Sequence, residues 1–387
     1  MTRYLLGVLP GDGIGPEVVG QARRAAEAAA RVFGFELRWR EFPFGAGYYL
    51  EHGIVLPPSA LDDMGETEAL LLGAVGDPRV KPGPLEQELL LALRFHFDQY
   101  LNLRPARSFP GAPTPVPLPD GRCLDAAVVR ENTEDFYMGL GGRGQGGLET
   151  GLTARRGLYG LTGRLTLNLE PAAEVAASVG LMTRPGVARI TRRAAELVRG
   201  RGEKNLTVAT KANAVPQLYG FWNEVTRETA ASEFPDLTLD YQNVDALAYL
   251  LPRQPEDFGV ILCPNLFGDI ISDLLSALAG GLGLAASGNI GDGLSMFEPI
   301  HGSAPTLAGT GRANPLAAIL SIALMLRHLG EAQAAEALET AVTGYLAGPD
   351  KPWELGGRDS IETVGTKVIT RLENIRGGEN VRNKTAD

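Results

Sequence analysis

Short apolar runs alternate with amphipathic stretches along the whole chain, and four of the runs break straight into polar or charged residues. Ala69-Leu70-Leu71-Leu72 leads into Gly73-Ala74-Val75-Gly76-Asp77, and Ala126-Ala127-Val128-Val129 leads into Arg130-Glu131-Asn132-Thr133-Glu134. Leu206-Thr207-Val208-Ala209 leads into Thr210-Lys211-Ala212-Asn213, and Val260-Ile261-Leu262-Cys263 leads into Pro264-Asn265 and a helical pattern. This alternation indicates an α/β architecture with parallel strand pairing. In such folds ligands bind at the C-terminal ends of strands. Strand ends that supply Arg, Lys and Asp therefore mark a substrate cleft. At 387 residues the chain exceeds a single hydrophobic core, so two domains are expected. The proline-rich segment 109–121 and the glycine-rich segment 139–151 read as connectors or excursions around a middle section. The polar residues from Arg376 onward are expected to fray.

The helix after Cys263 carries Asp269 and Asp273. A spacing of four places both carboxylates on one helical face. Two such carboxylates suit a hard divalent cation with room left for a substrate. The same pattern also serves a helix start, where acids complement the dipole. Spacing alone leaves both readings open.

Charge and cysteine usage narrow the function classes. A net charge of −10 argues against a nucleic-acid or anionic-membrane surface. It leaves an anionic small molecule open, because a few local arginines outweigh a diffuse negative field. Cys123 and Cys263 lie far apart and offer no metal or redox spacing, and the cytoplasm is the expected compartment. The apolar run in Met1–Gly7 is too short for a signal peptide. The most apolar stretch, Leu316–Leu326, reads as a buried core helix rather than a membrane span. Gly11-Asp12-Gly13-Ile14-Gly15-Pro16 invites comparison with a dinucleotide fingerprint, but its third glycine follows the second too closely. Pro16 is a helix-start signal. The loop is a tight strand-to-helix turn, either purely structural or a backbone surface for a cofactor.

Five segments, in order, carry a resemblance: Gly11–Val18, Leu89–Pro105, Val129–Tyr137, Asn265–Asp273 and Phe297–Pro315. Together they resemble the isocitrate/isopropylmalate dehydrogenase family, the metal-dependent β-decarboxylating dehydrogenases, from residue 5 to about residue 330. The resemblance implies a two-domain α/β fold, a mixed sheet flanked by helices that is not a Rossmann fold. It implies a discontinuous first domain, 1–103 and 277–387, on the cofactor side. The second domain, 104–276, would hold the substrate, the metal and the dimer interface. A homodimer with shared active sites follows.

The resemblance also assigns residues. Asp269 and Asp273 match metal ligands of one subunit, and Asp245 matches the ligand from the partner; Mg2+ or Mn2+ is implied. Taken alone, Asp245 reads as a helix N-cap, and only the resemblance makes it a ligand. Arg94, Arg104 and Arg130 match the clamps for the carboxylates of a dicarboxylic hydroxy acid, a task suited to the planar guanidinium. Lys211 matches the lysine that manages the C2 hydroxyl proton, and Tyr137 the tyrosine that protonates the enol carbon. His301, Gly302, Ser303, Ala304, Pro305 and Asn314, with Ile14 and Gly76, match cofactor contacts. NAD-using relatives usually carry an acid where Thr306 stands, and NADP-using relatives carry lysine and tyrosine. Thr306-Leu307 supplies neither, and NAD is favoured because only Arg312 offers a phosphate clamp nearby.

Within the family, Leu90 and Leu91 match the apolar wall that receives the isopropyl group of isopropylmalate. An apolar wall would leave a third carboxylate unpaired. The expected reaction is thus oxidative decarboxylation of 3-isopropylmalate with NAD reduction, a step of leucine synthesis. Phe97-Asp98-Gln99-Tyr100 and Arg130–Glu134 look more like D-malate/tartrate- and isocitrate-oxidising relatives, which keeps that substrate class as the alternative. Gln87 departs from the usual acid, and the stretch 155–187 matches no relative well. A binding-only relative is a third reading, against which Lys211, Tyr137 and the three aspartates argue.

Overall fold

The computed structural model describes residues 1–116, 118 and 123–384, with side chains described up to Ile375. Segment 109–121 lies partly outside the described residues, and the tail from residue 376 outside the described side chains. The chain forms two compact units. Unit one comprises Met1–Leu93, Arg104–Leu124 and Leu275–Asp387, and unit two comprises Arg94–Leu103 and Asp125–Leu274. The expected division at 103/104 and 276/277 differs from these units chiefly in 94–124, where the Arg94–Leu103 segment joins unit two and the proline-rich excursion joins unit one.

In unit one, strands run in the order Ala286–Ile290, Ser295–Pro299, Ala69–Ala74, Arg3–Gly11 and Glu36–Glu41. All pair in parallel except Ala286–Ile290, which is antiparallel to Ser295–Pro299. The Ala69–Ala74 strand is buried along its whole length, as its continuous apolar run requires of a strand covered on both faces. The Gly15–Phe33, Leu316–His328, Ala332–Ala347 and Ile361–Lys384 helices pack on one another beside this sheet. Leu316–His328 buries ten of its thirteen residues, so the most apolar stretch of the sequence is a core helix. Among the described residues no helix is long and apolar enough to cross a membrane.

In unit two, four parallel strands run in the order Thr238–Asn243, Asn205–Thr210, Val260–Cys263 and Asp125–Glu131. Segment 139–151, expected as a connector, is instead β-structure. Gly141–Gln145 pairs antiparallel with Glu174–Ser178, and Gly147–Arg156 pairs antiparallel with Tyr159–Asn168. Seven glycines between 139 and 151 replace the side chains whose alternation would have marked those strands. In Gly147–Arg156 exposure does alternate, with Glu149, Gly151, Thr153 and Arg155 outward, whereas Tyr159–Asn168 exposes six of its ten residues.

Candidate active site

Parallel pairing brings the C-terminal ends of the four unit-two strands to one side. Thr210 is in register with Asn243, and Cys263 with Arg130. Arg130 therefore stands one residue before the end of one strand, Lys211 follows another, Asp245 follows the third by two residues, and the Asn265–Ala279 helix follows the fourth.

Arg130 is only 1% exposed. Its Nε donates to the backbone oxygen and to Oδ1 of Asn265, both at 3.0 Å, and its Nη1 donates to Asp269 Oδ1 at 2.5 Å. Asn265 Nδ2 donates to the Glu134 carbonyl at 3.1 Å. Gly268 allows this packing, because a Cβ there would stand 2.6 Å from Arg130 Cγ. The other carboxylate oxygen of Asp269 accepts from the Tyr137 hydroxyl at 2.7 Å, and the Arg130 guanidinium lies over the Tyr137 ring at 5.0 Å. Burial, reinforced by Asp269, raises the Tyr137 pKa above that of a free phenol, while Arg130 and Arg94 oppose the shift. Tyr137 thus keeps its proton at neutral pH. Asp273 is one turn beyond Asp269 on the same helical face and is exposed.

Lys211 and Asp245 form a second pair. Lys211 Nζ donates to Asp245 Oδ1 at 2.5 Å, and this bond holds the Asp245 carboxyl below the usual range. Asp245 lies in the first turn of the Val244–Leu250 helix and is not its cap; Asn243 occupies that place. Among the described residues, no three His, Cys, Asp or Glu side chains of one chain come close enough to hold an ion. One chain thus unites Asp269 with Arg130 and Tyr137, and Lys211 with Asp245, but does not bring Asp245 into one group with Asp269 and Asp273.

Arg94, the residue at which unit two begins, is buried in the short Ala92–His96 helix. Its neighbourhood was not legible in sequence. Arg156 stacks its guanidinium on Phe95 at 3.6 Å and donates through Nε to the Thr133 carbonyl at 2.7 Å. Arg189 pairs with Asp98 at 2.6 Å and reaches the Thr133 hydroxyl at 3.3 Å. The segments that carry Arg94 and Arg130 are joined through these two arginines. Under them lie buried acids. Burial, then Glu134, pushes Glu131 up to about 7.

In unit one, Leu90 and Leu91 are half-buried at the end of a single π-helical turn, Glu86–Leu91, and Arg104 is buried in the Leu101–Arg107 strand. The glycine loop lies against the segment after Ile300. Ile14 N donates to the Ser303 carbonyl at 2.8 Å, and Gly13, at φ +57°, would place a Cβ 2.0 Å from that oxygen. Asp12 accepts from Gly76 N at 3.0 Å. Gly76, Ser303 and Pro305 line a cleft of about 330 Å³ with Lys81 and Glu86. Gly302 is exposed and Ala304 adopts φ +38°. Burial lowers the His301 pKa, which favours a neutral imidazole. Asn314 Nδ2 donates to Glu354, whose other oxygen accepts from Gly283 N. Glu354 carries no sequence signal, since its partner lies 40 residues away. Arg312 lies over Trp353 at 4.5 Å.

The donor set fits both implied groups. Asp269 and Asp273 offer hard oxygen ligands from one helix face, as Mg2+ or Mn2+ requires. The turn of Gly13, Ile14 and Ser303 offers a dinucleotide a backbone surface, since the Ile14 side chain is buried.

Comparison with known proteins accords with this arrangement. The family model for isocitrate/isopropylmalate dehydrogenase matches residues 5–372. A 3-isopropylmalate dehydrogenase of Thermobifida fusca is 42% identical over 370 residues, covering 95% of this chain and 97% of that protein. One of Streptomyces griseus is 44% identical over 355 residues, covering 90% and 94%. The crystal structure of isocitrate dehydrogenase from Methylococcus capsulatus superposes with a TM-score of 0.81 at 32% identity, covering 96% of this chain and 100% of that one. With its parallel strand ends, its glycine turn and its helix of paired aspartates, the chain belongs to the isocitrate/isopropylmalate dehydrogenase family.

Proposed function

We propose that the protein is a 3-isopropylmalate dehydrogenase that oxidises and decarboxylates its substrate with NAD and a divalent cation. The observation that carries the chemistry is Asp269, gripped by Arg130 and Tyr137 at 2.5 and 2.7 Å. The curated relatives, at 41–44% identity, carry the substrate.

In this reading Arg94, Arg104 and Arg130 take the substrate carboxylates, and Leu90 and Leu91 meet its isopropyl group. Asp269 and Asp273 hold the cation from one protomer and Asp245 holds it from the partner. Because Lys211 is bonded to Asp245, the two enter the site together, so the base also comes from the partner. When bound, the cation would stabilise negative charge on the C2 oxygen and the nicotinamide would take the hydride from C2. Lys211 accepts the C2 hydroxyl proton, directly or through water. The 3-carboxylate then leaves as CO2. Tyr137, held protonated by burial and by Asp269, delivers a proton to the carbon that lost it. On the cofactor side, Ile14, Gly76, His301, Gly302, Ser303, Ala304, Pro305 and Asn314 contact NAD, with Glu354 fixing the Asn314 amide.

Steady-state kinetics with NAD and Mn2+ on 3-isopropylmalate, D-malate, tartrate and isocitrate test the reading. The expected outcome is the highest kcat/KM for 3-isopropylmalate. A preference for D-malate or tartrate would move the protein to the alternative, which Asp98 and Arg130–Glu134 favour in sequence.

A further inference from the structure

Asp135 is fully buried in the turn that joins the Asp125–Glu131 strand to Tyr137. Its backbone, at φ 64° and ψ −149°, occupies a region that essentially only glycine enters without strain. Such a conformation persists where the surroundings over-determine it, and here they do. Asp135 N donates to the Leu181 carbonyl at 2.8 Å. Its Oδ2 accepts from Leu266 N at 3.0 Å.

The partner of this carboxylate is informative. Leu266 lies in the first turn of the helix that bears Asp269 three residues later. Asp135 itself stands two residues before Tyr137, in the same turn. Its side chain thus ties the turn that bears Tyr137 to the start of the helix that bears Asp269. Glycine would satisfy the backbone but would remove this carboxylate tie, leaving the Asn265–Glu134 bond to join the helix start to the tyrosine turn. We propose that Asp135 is a positioning residue, which sets the Tyr137 hydroxyl and the Asp269 carboxylate against each other and so tunes both proton delivery and cation binding. The inference rests on the roles given above to Tyr137 and Asp269.

Asp135→Gly and Asp135→Asn in the full-length chain test it. Glycine suits the backbone and removes the carboxylate; asparagine tolerates positive φ and keeps an acceptor. For Asp135→Gly the account expects a thermal midpoint equal to or above wild type, with turnover lower by on the order of a hundredfold. Mn2+ affinity, measured by electron paramagnetic resonance with the ion alone, should fall about tenfold, since support beneath a ligand is worth roughly that much. Asp135→Asn should recover most of both losses. Undiminished turnover and Mn2+ affinity in Asp135→Gly would overturn the proposal. So would loss of the fold in Asp135→Gly, or an Asp135→Asn variant as impaired as the glycine one, since either would make Asp135 a purely structural residue. The Mn2+ measurement needs no substrate, so a wrong substrate assignment would show in the wild-type kinetics and leave this test standing.

Discussion

At the residue scale the two residues proposed to move protons sit in different surroundings. Tyr137 is enclosed and bonded to a carboxylate, which keeps its proton on; Lys211 sits beside the largely exposed Asp245. Lys211→Ala should therefore remove most turnover, about 10²–10⁴-fold for a lost acid–base group, with an unchanged thermal midpoint. Tyr137→Phe should lower kcat with little change in the substrate KM, the signature of an interaction made after binding. Equal increases in KM for both variants would assign them to binding instead. Glu131 gives a pH prediction. Its folded-state pKa, about 7, stands above the ordinary carboxyl value because burial disfavours its charge. The native state thus binds this proton more tightly than the unfolded one, and this contribution to stability falls as pH rises from about 4.5 to 7 and then levels off. Glu131→Gln should flatten that part of the stability–pH curve in denaturant titrations. An unchanged slope would show that Glu131 is ionised in the fold throughout.

At the element scale, local residues made the strand ends, the aspartate-bearing helix and the glycine turn readable. Each is a short run with its own periodicity or punctuation. What the sequence concealed are links between distant segments: Asp135 to Leu266 across 131 residues, Asn314 to Glu354 across 40, and Arg156 to Phe95 through a stacked ring. No local pattern encodes such a contact. The antiparallel strands of 141–178 were hidden for another reason: the glycines crowded into 139–151 leave few side chains to mark a strand there. The glycine turn offers a direct test. Gly13→Ala forces a Cβ against the Ser303 carbonyl at a backbone angle that alanine disfavours. The KM for NAD should rise about tenfold or more, as expected when a binding surface shifts by close to an ångström. Mn2+ affinity should not change. A variant with wild-type KM for NAD would remove this turn from the cofactor site.

At the scale of the whole molecule, one chain holds two separate groups: Asp269 with Tyr137 and Arg130, and Lys211 with Asp245. In the proposed reading a site that needs both is completed by two copies. The two-unit organisation was legible from length and from the alternation of elements. Its boundaries were less so, because the Arg94–Leu103 segment folds with unit two although its flanks belong to unit one. The most direct test of the shared site is complementation between Lys211→Ala and Asp269→Asn chains, each inactive alone. After unfolding and refolding as an equimolar mixture, half the dimers are mixed, and each mixed dimer holds one intact site of two. The account predicts recovery of about a quarter of wild-type activity. If the mixture forms mixed dimers yet stays as inactive as its components, each site is built within one chain and the account is contradicted.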